Sequence, residues 1–257
     1  MFFRYESDIP SGSGYRIFSA THFGCLAAIG AAMALIAIIF IRAGERKRDL
    51  IINAIPVFLI CMEASKWLVL FSIHRANIGM LPLHLCGLAA FDFLLASFMP
   101  SSRARAFFGE IAVILLGPGS IFALLLPDWT LYPAWNYFNL YGYIWHEMLL
   151  LYPILLLIDK RLWPRISHLW YEAVFLAVIV PPVYIFDKIT DCNYMFINWP
   201  PSDTPLSFLA SKMGVPGYLA GYALLALMIM VIIYIPFEVI GRKDEKRDGS
   251  IFHLFGR

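Results

Sequence analysis

Charge is what this sequence has least of. Only 15% of its 257 residues are Asp, Glu, Lys or Arg, and 60% are apolar. A soluble domain has about 25% charged and about 45–50% apolar residues, so the ordinary soluble class is excluded. The net charge of +2 points to no nucleic-acid partner. Cysteine is also scarce. Cys25, Cys61 and Cys86 sit in apolar runs and only Cys192 falls in a connecting loop, with no CxxC pair among them. That pattern is neither a disulfide framework nor a cysteine metal site. A nucleotide-binding glycine loop and an HExxH zinc motif are missing, as is an internal repeat of the kind found in many transporters. No metal site and no cofactor are expected.

What is abundant is long apolar runs. A membrane-crossing helix needs roughly 20 mostly apolar residues. Seven stretches qualify: residues 18–41, 51–72, 81–99, 107–126, 137–158, 168–187 and 216–238. They use most of the chain, so the expectation is an all-α, polytopic membrane helix bundle of about seven transmembrane helices. Residues 1–257 would form a single integral membrane domain. The first run is too long for the apolar part of a signal peptide, so it reads as a spanning helix that stays. "GPGSIFALLLPDW" places Gly117-Pro118-Gly119 inside the fourth run, where a proline predicts a break or kink. The aromatic stretch from Asp128 to Trp145 reads as an interfacial belt.

Orientation follows from the positive charges. On alternate sides of the seven runs, Lys and Arg number five against fourteen, with Lys66 inside a run. The richer side is expected to be cytoplasmic, which puts the N-terminus outside and the C-terminus inside.

Ionisable groups within membrane helices are costly, so each is a candidate for function. At about 1.5 Å of rise per residue, His22, Glu63, Lys66, His84, Cys86, His146 and Asp187 all fall in the outer half. Asp128, Asp191, Asn193 and Tyr194 lie in outer loops. Asp92 and Glu147 come near the midplane. The convergence suggests a polar pocket opening outward. The plainer reading is that these groups sit near water at the interface, and it is strongest for His22, His84 and Asp187. Glu63 and Lys66 share a helix face at a spacing of three. They are read either as an ion pair fixing the second helix against a neighbour or as part of a proton or substrate path.

The segment "LPLHLCGLAAF", residues 81–91, holds an imidazole and a thiol two positions apart. On a helix, such residues point about 200° apart. If Cys86 is a nucleophile, its base comes from another helix. His146 is the candidate, since its helix also enters from outside, at a depth differing by roughly 6 Å. If Cys86 is not a nucleophile, it is a small buried hydrophobe.

Several blocks then stand in order: "EASKW", "LPLHLCGLAAF", "GPGSIFALLLPDW", "YPAWNYFNLYGYIWHEMLLLYPILLL", "DCNYMFINWPP" and "YIPF". With these the chain resembles the YwaF-like integral membrane proteins of bacteria, which are related to eukaryotic transmembrane protein 164. The resemblance implies a lipid acyltransferase or acyl hydrolase with a catalytic Cys and His. Carried over by motif, these are Cys86 of "LHLC" and His146 of the fifth run. It implies membrane lipids as substrate, a bacterial inner membrane as location, and acyl transfer through a thioester. Asn193 or Tyr194 would then donate to the oxyanion, with His84 and His22 orienting the base or a headgroup. Glu63, Lys66 and Asp128 would be supporting pocket residues. "DCNY" departs from the family pattern by placing Asp191 and Cys192 where small or hydroxyl residues belong. Two other classes compete with the enzyme. One is a transporter using Glu63, Lys66, Asp92 and Glu147, and the other is a membrane scaffold without chemistry.

The orientation has a direct test. Cys192 is expected to react with a membrane-impermeant thiol reagent in intact cells, and labelling that requires lysis would reverse the topology.

Overall fold

The chain is described from a computed structural model over residues 1–247; side chains beyond Gly241 and all of 248–257, which carry part of the basic C-terminal charge, lie outside that description. Among the described residues, all regular structure is helical. Six helices are long and apolar enough to cross a membrane. The chain groups into two compact units. The first is Met1–Pro82 with Cys86–Arg161, and the second is Leu83–Leu85 with Leu162 onward.

In the first unit, α1 spans Ala20–Arg42 and α2 spans Glu45–Ser72. Helix α1 starts where the Ser19 hydroxyl accepts from the backbone N–H of His22, a standard N-cap. The tight turn after it is held by Arg48. Its guanidinium donates to the carbonyls of Phe40, Ile41 and Ala43 at 3.1, 2.8 and 3.0 Å, so a cation closes the negative end of the helix. Arg48 also pairs with Asp159 at 3.1 Å, and Arg161 pairs with both Asp159 and Asp49. These positive charges bind the α1–α2 turn to Asp159, which caps the end of a later helix, α6 (Tyr137–Ile158).

The third run is shorter than expected. Helix α3 covers only Leu85–Phe98, a rise of about 21 Å against a hydrocarbon core of about 30 Å. Pro82 is not in its first turn. Residues 81–84 turn outside the helix and fold back onto it, and a Cβ on Gly87 would lie 2.7 Å from the Pro82 backbone. The missing side chain at Gly87 is what lets the chain approach so closely.

The fourth run is not broken by its proline. Helix α4, Ser102–Ile111, passes into a π-helical turn, Ala112–Leu116, and on into α5, Gly117–Leu125. One wide turn, closed by the Gly117 N–H on the Ala112 carbonyl, absorbs the misfit before Pro118. Pro118 then sits in the first turn of α5, where its missing N–H costs little. Here α5 presses on α6, Tyr137–Ile158: a Cβ on Gly117 would come within 2.7 Å of the Pro153 ring.

Helix α6 is the centre of this unit. Of its most apolar stretch 67% is buried, against 6% for α1, and it packs against α1, α2 and α5. The N-terminal segment is tied to its start. Asn136 caps α6 by accepting from Phe138 N–H, and its Nδ2 donates to the carbonyls of Met1 and Arg4 at 3.1 and 2.9 Å.

The second unit holds α7, Trp170–Thr190, the short α8, Pro205–Met213, and α9, Tyr218–Arg247. Tyr234 on α9 donates to the buried Glu172 of α7 at 2.9 Å, and the Trp163 indole donates to Phe237 O at 3.2 Å. The loop after α7 is backbone-strained: Asp191, Met195 and Phe196 all have positive φ, at 54°, 53° and 58°.

Gly117→Ala is expected to lower stability by about 1–3 kcal/mol through overpacking. Gly119→Ala, facing open space, should be neutral or slightly stabilising. Thermal unfolding of the two variants in one detergent compares them; equal melting temperatures would contradict the close seam.

Candidate active site

Two backbone carbonyls fix the segment that leads into α3, and both are held by side chains from other helices. At its start, Lys66 Nζ on α2 donates to Met80 O at 2.9 Å. At its end, the Trp145 indole on α6 donates to Cys86 O at 3.1 Å. Between these anchors runs a continuous set of contacts. Lys66 pairs with Glu63 Oε1 at 2.7 Å. Glu63 also accepts from Trp67 Nε1 at 3.0 Å and, through Oε2, from the Tyr141 hydroxyl at 2.9 Å. The Tyr141 ring stacks on Trp145 with centroids 5.3 Å apart and an 18° tilt. The Glu63–Lys66 pair thus joins α2 to α6 and to the loop at Met80. Four groups share the cost of burying its charges: the loop carbonyl, an indole, a phenol and the partner ion.

This clamp sets Cys86 at the second position of α3. His146 follows Trp145 directly on α6. Among the described residues no hydrogen bond joins Cys86 Sγ to the imidazole. The carboxylate of exposed Asp128 lies within electrostatic reach of both.

His146 is buried and its ring orientation is set on two sides. Nδ1 lies 2.8 Å from the Gly142 carbonyl one turn earlier. A carbonyl can only accept, so Nδ1 carries a proton, and in the neutral ring Nε2 is left as an acceptor. The ring stacks on Trp129 at 5.0 Å and 17°. Trp129 fits because residue 142 is glycine: a Cβ there would lie 2.7 Å from the indole. The Trp129 Nε1–H is buried without a hydrogen-bond partner among the described residues. An unclaimed donor therefore lies beside an imidazole with a free acceptor. Chemically, the arrangement can take a proton at Nε2 and donate a hydrogen bond from Trp129.

The other anticipated residues divide. His22 is fully buried with both ring nitrogens occupied: Nδ1 accepts from Phe18 N–H at 2.9 Å and Nε2 donates to Leu124 O at 3.0 Å. It ties α1 to the end of α5 and has no nitrogen left for a headgroup. His84 belongs to the second unit, where Nδ1 accepts from Met195 N–H at 3.1 Å and its ring meets Tyr194 and Phe196. Asn193 organises its own loop. Its Oδ1 accepts from Asn198 and Trp199 N–H, both at 3.1 Å, and its Nδ2 donates to Trp199 O at 2.9 Å. Tyr194 is buried in the same turn. Asp92 is 2% exposed, and among the described residues neither of its oxygens is hydrogen-bonded and Glu147 Oε1 is likewise unpartnered. No hydrogen-bonded relay among the described residues links these two to Glu63 and Lys66.

Sequence reasoning missed the three aromatics that shape the site. Tyr141, Trp145 and Trp129 lie in the stretch read as an interfacial belt. Their signal was spacing: Tyr141 and Trp145 are one helical turn apart, as are Gly142 and His146. Outside the span, burial followed by the hydrogen bond with Tyr143 pushes the Tyr15 phenol up from its ordinary value, so it stays a donor at neutral pH.

A family model described as the TMEM164 family matches residues 17–234, most of the chain and all of the candidate site. The chain belongs to the TMEM164 family. Among curated proteins and among solved structures, none matches it. Family membership and six apolar helices make it an integral, multi-pass membrane protein. The matched residues of this TMEM164-family chain include the clamp, Cys86 and His146 together.

Lys66→Met is expected to destabilise the chain by about 3–5 kcal/mol, because it strands a buried carboxylate and frees Met80 O. The double variant Glu63→Gln/Lys66→Met should lose less than Lys66→Met alone. Chemical denaturation in detergent measures both, and a single-variant loss below about 0.5 kcal/mol would show that the pair is not buried in solution.

Proposed function

We propose that this TMEM164-family protein is a membrane lipid acyltransferase or acyl hydrolase, with Cys86 as nucleophile and His146 as general base. The observation that carries the reading is the fixed tautomer of His146. Its Nδ1 proton is committed to Gly142 O, so Nε2 is a ready acceptor, on the residue adjoining the one that grips Cys86. The activity itself comes from the resemblance to YwaF-like proteins and their eukaryotic relative.

In the first step His146 Nε2 takes the thiol proton and the Cys86 thiolate attacks a lipid ester carbonyl. The tetrahedral oxyanion accepts a hydrogen bond from the Trp129 indole N–H, which replaces Asn193 in that role because Asn193 is engaged within its loop. The C–O bond breaks, His146 returns its proton to the departing alkoxide, and an acyl-thioester remains on Cys86. In the second step His146 deprotonates a lysolipid hydroxyl or water, which attacks the thioester and restores the thiol. In this reading the N-terminus lies outside and α3 is the seventh, shorter membrane element. The membrane is a bacterial inner membrane, and lipids are both donor and acceptor.

A transport path has less support: Glu63 and Lys66 neutralise each other, and Asp92 and Glu147 are not connected to them.

The test is acyl exchange by purified protein on defined phospholipids. Wild type should transfer acyl groups and leave a hydroxylamine-labile adduct on Cys86. Cys86→Ser and His146→Ala should each lose at least about a hundredfold, and Trp129→Phe about tenfold or more. Full activity in both Cys86→Ser and His146→Ala would end the proposal.

A further inference from the structure

Helices α1 and α6 do not close on each other along their whole length. A cavity of 470 Å³ lies between them, with Gly24, Cys25, Ala28 and Ala32 on one wall and Tyr143 and Glu147 on the other. Positions 24, 28 and 32 recur every four residues, so small side chains lie one above another and leave the space. A small-residue stripe alone would be an ordinary helix seam. Glu147 makes this one different. The residue is 3% exposed, it lines the cavity, and its Oε1 has no hydrogen-bond partner among the described residues. It makes no ion pair among the described residues. About 15 Å along α6 from its start, it lies too deep for interfacial water to relieve it. A polar atom left bare there costs on the order of several kcal/mol, and a ligand carrying a hydrogen-bonding group would recover it.

The occupant follows from size, charge and access. A second helix is too bulky: at about 10 Å across it would fill 470 Å³ in roughly one turn. The volume does lie in the range of about 300–1,000 Å³ typical of small-molecule sites. A phosphate head is disfavoured, because the cavity offers a carboxyl and no cation. Toward the start of α6 the lining is Thr21, Ala134 and Trp135, and the Tyr143 hydroxyl is engaged by Tyr15 at 2.9 Å. Entry is sideways from the bilayer, past the largely exposed α1. A hydroxyl suits Glu147 in either protonation state, since it can donate to a carboxylate or accept from a carboxylic acid.

We infer that this groove binds one chain of an uncharged, hydroxyl-bearing long-chain lipid of the acylglycerol class, with its hydroxyl hydrogen-bonded to Glu147. The site lies on the face of α6 carrying Tyr143 and Glu147, distinct from the side chains of Trp145 and His146 that form the candidate active site.

The experiment uses the full chain in phosphatidylcholine nanodiscs with a photoactivatable, alkyne-tagged monoacylglycerol. Labelled peptides should come from α1 and α6, and excess untagged monoacylglycerol should displace the probe while lysophosphatidate does not. Ala28→Phe, which fills the groove from the opposite wall, should abolish labelling. Glu147→Leu should reduce it about tenfold, the worth of one hydrogen bond of about 1.4 kcal/mol, and Glu147→Gln should keep most of it. Size-exclusion elution and helical content identify any variant that fails to fold, in which case the other wall's variant decides. Three results would overturn the inference: labelling spread evenly over lipid-facing helices, labelling unchanged in Ala28→Phe, or equal competition by lysophosphatidate. So would α1–α1 crosslinks between copies that exclude the probe. Crosslinking needs no turnover, so the result stands apart from the fate of the Cys86 reading.

Discussion

Hydrocarbon offers no hydrogen bonds, so every polar group taken into a bilayer has to find its partner in protein. Helix α6 meets that constraint in concentrated form. It carries Asn139, His146, Glu147 and four tyrosines, and it is stable in a membrane only if other elements surround it. Much of the first unit can be traced to that need. The N-terminal segment covers its start, α2 brings Glu63 to Tyr141, and α5 presses a glycine against Pro153. Where covering is incomplete, the polar group left over is Glu147, beside a groove rather than in a packed seam.

The same need explains why aromatic side chains do so much of the positioning. Tyrosine and tryptophan bury large apolar rings while presenting one donor at a defined place. Trp145 reaches the Cys86 carbonyl, Tyr141 reaches Glu63, and Trp129 covers His146 with its own N–H unspent. A carbonyl held at each end of the 80–86 stretch fixes where the cysteine enters the membrane without any contact to its sulfur. The thiol is thus placed through the backbone.

Much of this was legible from residue order. Apolar runs located the spans because lipid imposes length and composition together, and the Glu63–Lys66 spacing implied their pairing because helical neighbours three apart face the same way. Other features were hidden because distant parts of the chain decide them. A proline in the first turn is locally acceptable, so nothing near Pro82 revealed that α3 would wait until Leu85; the close approach of Pro82 to Gly87 decided it. His22 looked available for a ligand because its partner Leu124 O lies a hundred residues away in sequence and belongs to the backbone. Trp129 was lost among interfacial aromatics, since composition cannot separate a ring that anchors to headgroups from one stacked on an imidazole. Asn193 looked like a free donor because the residues it binds come after it in an irregular turn.

The wide turn at Ala112–Leu116 links chain length to chemistry in a way that reaches beyond this one sequence. A π turn holds one residue more than the α-helical height it spans. Remove that residue and the two flanks could stay where they are, joined by ordinary α-helix. Pro118 would then meet the carbonyl four positions before it, and the span would have to bend. The extra residue and the proline are therefore one unit of inheritance. Among relatives, a chain one residue shorter here should also have lost the proline, while a chain that keeps the proline should keep the length.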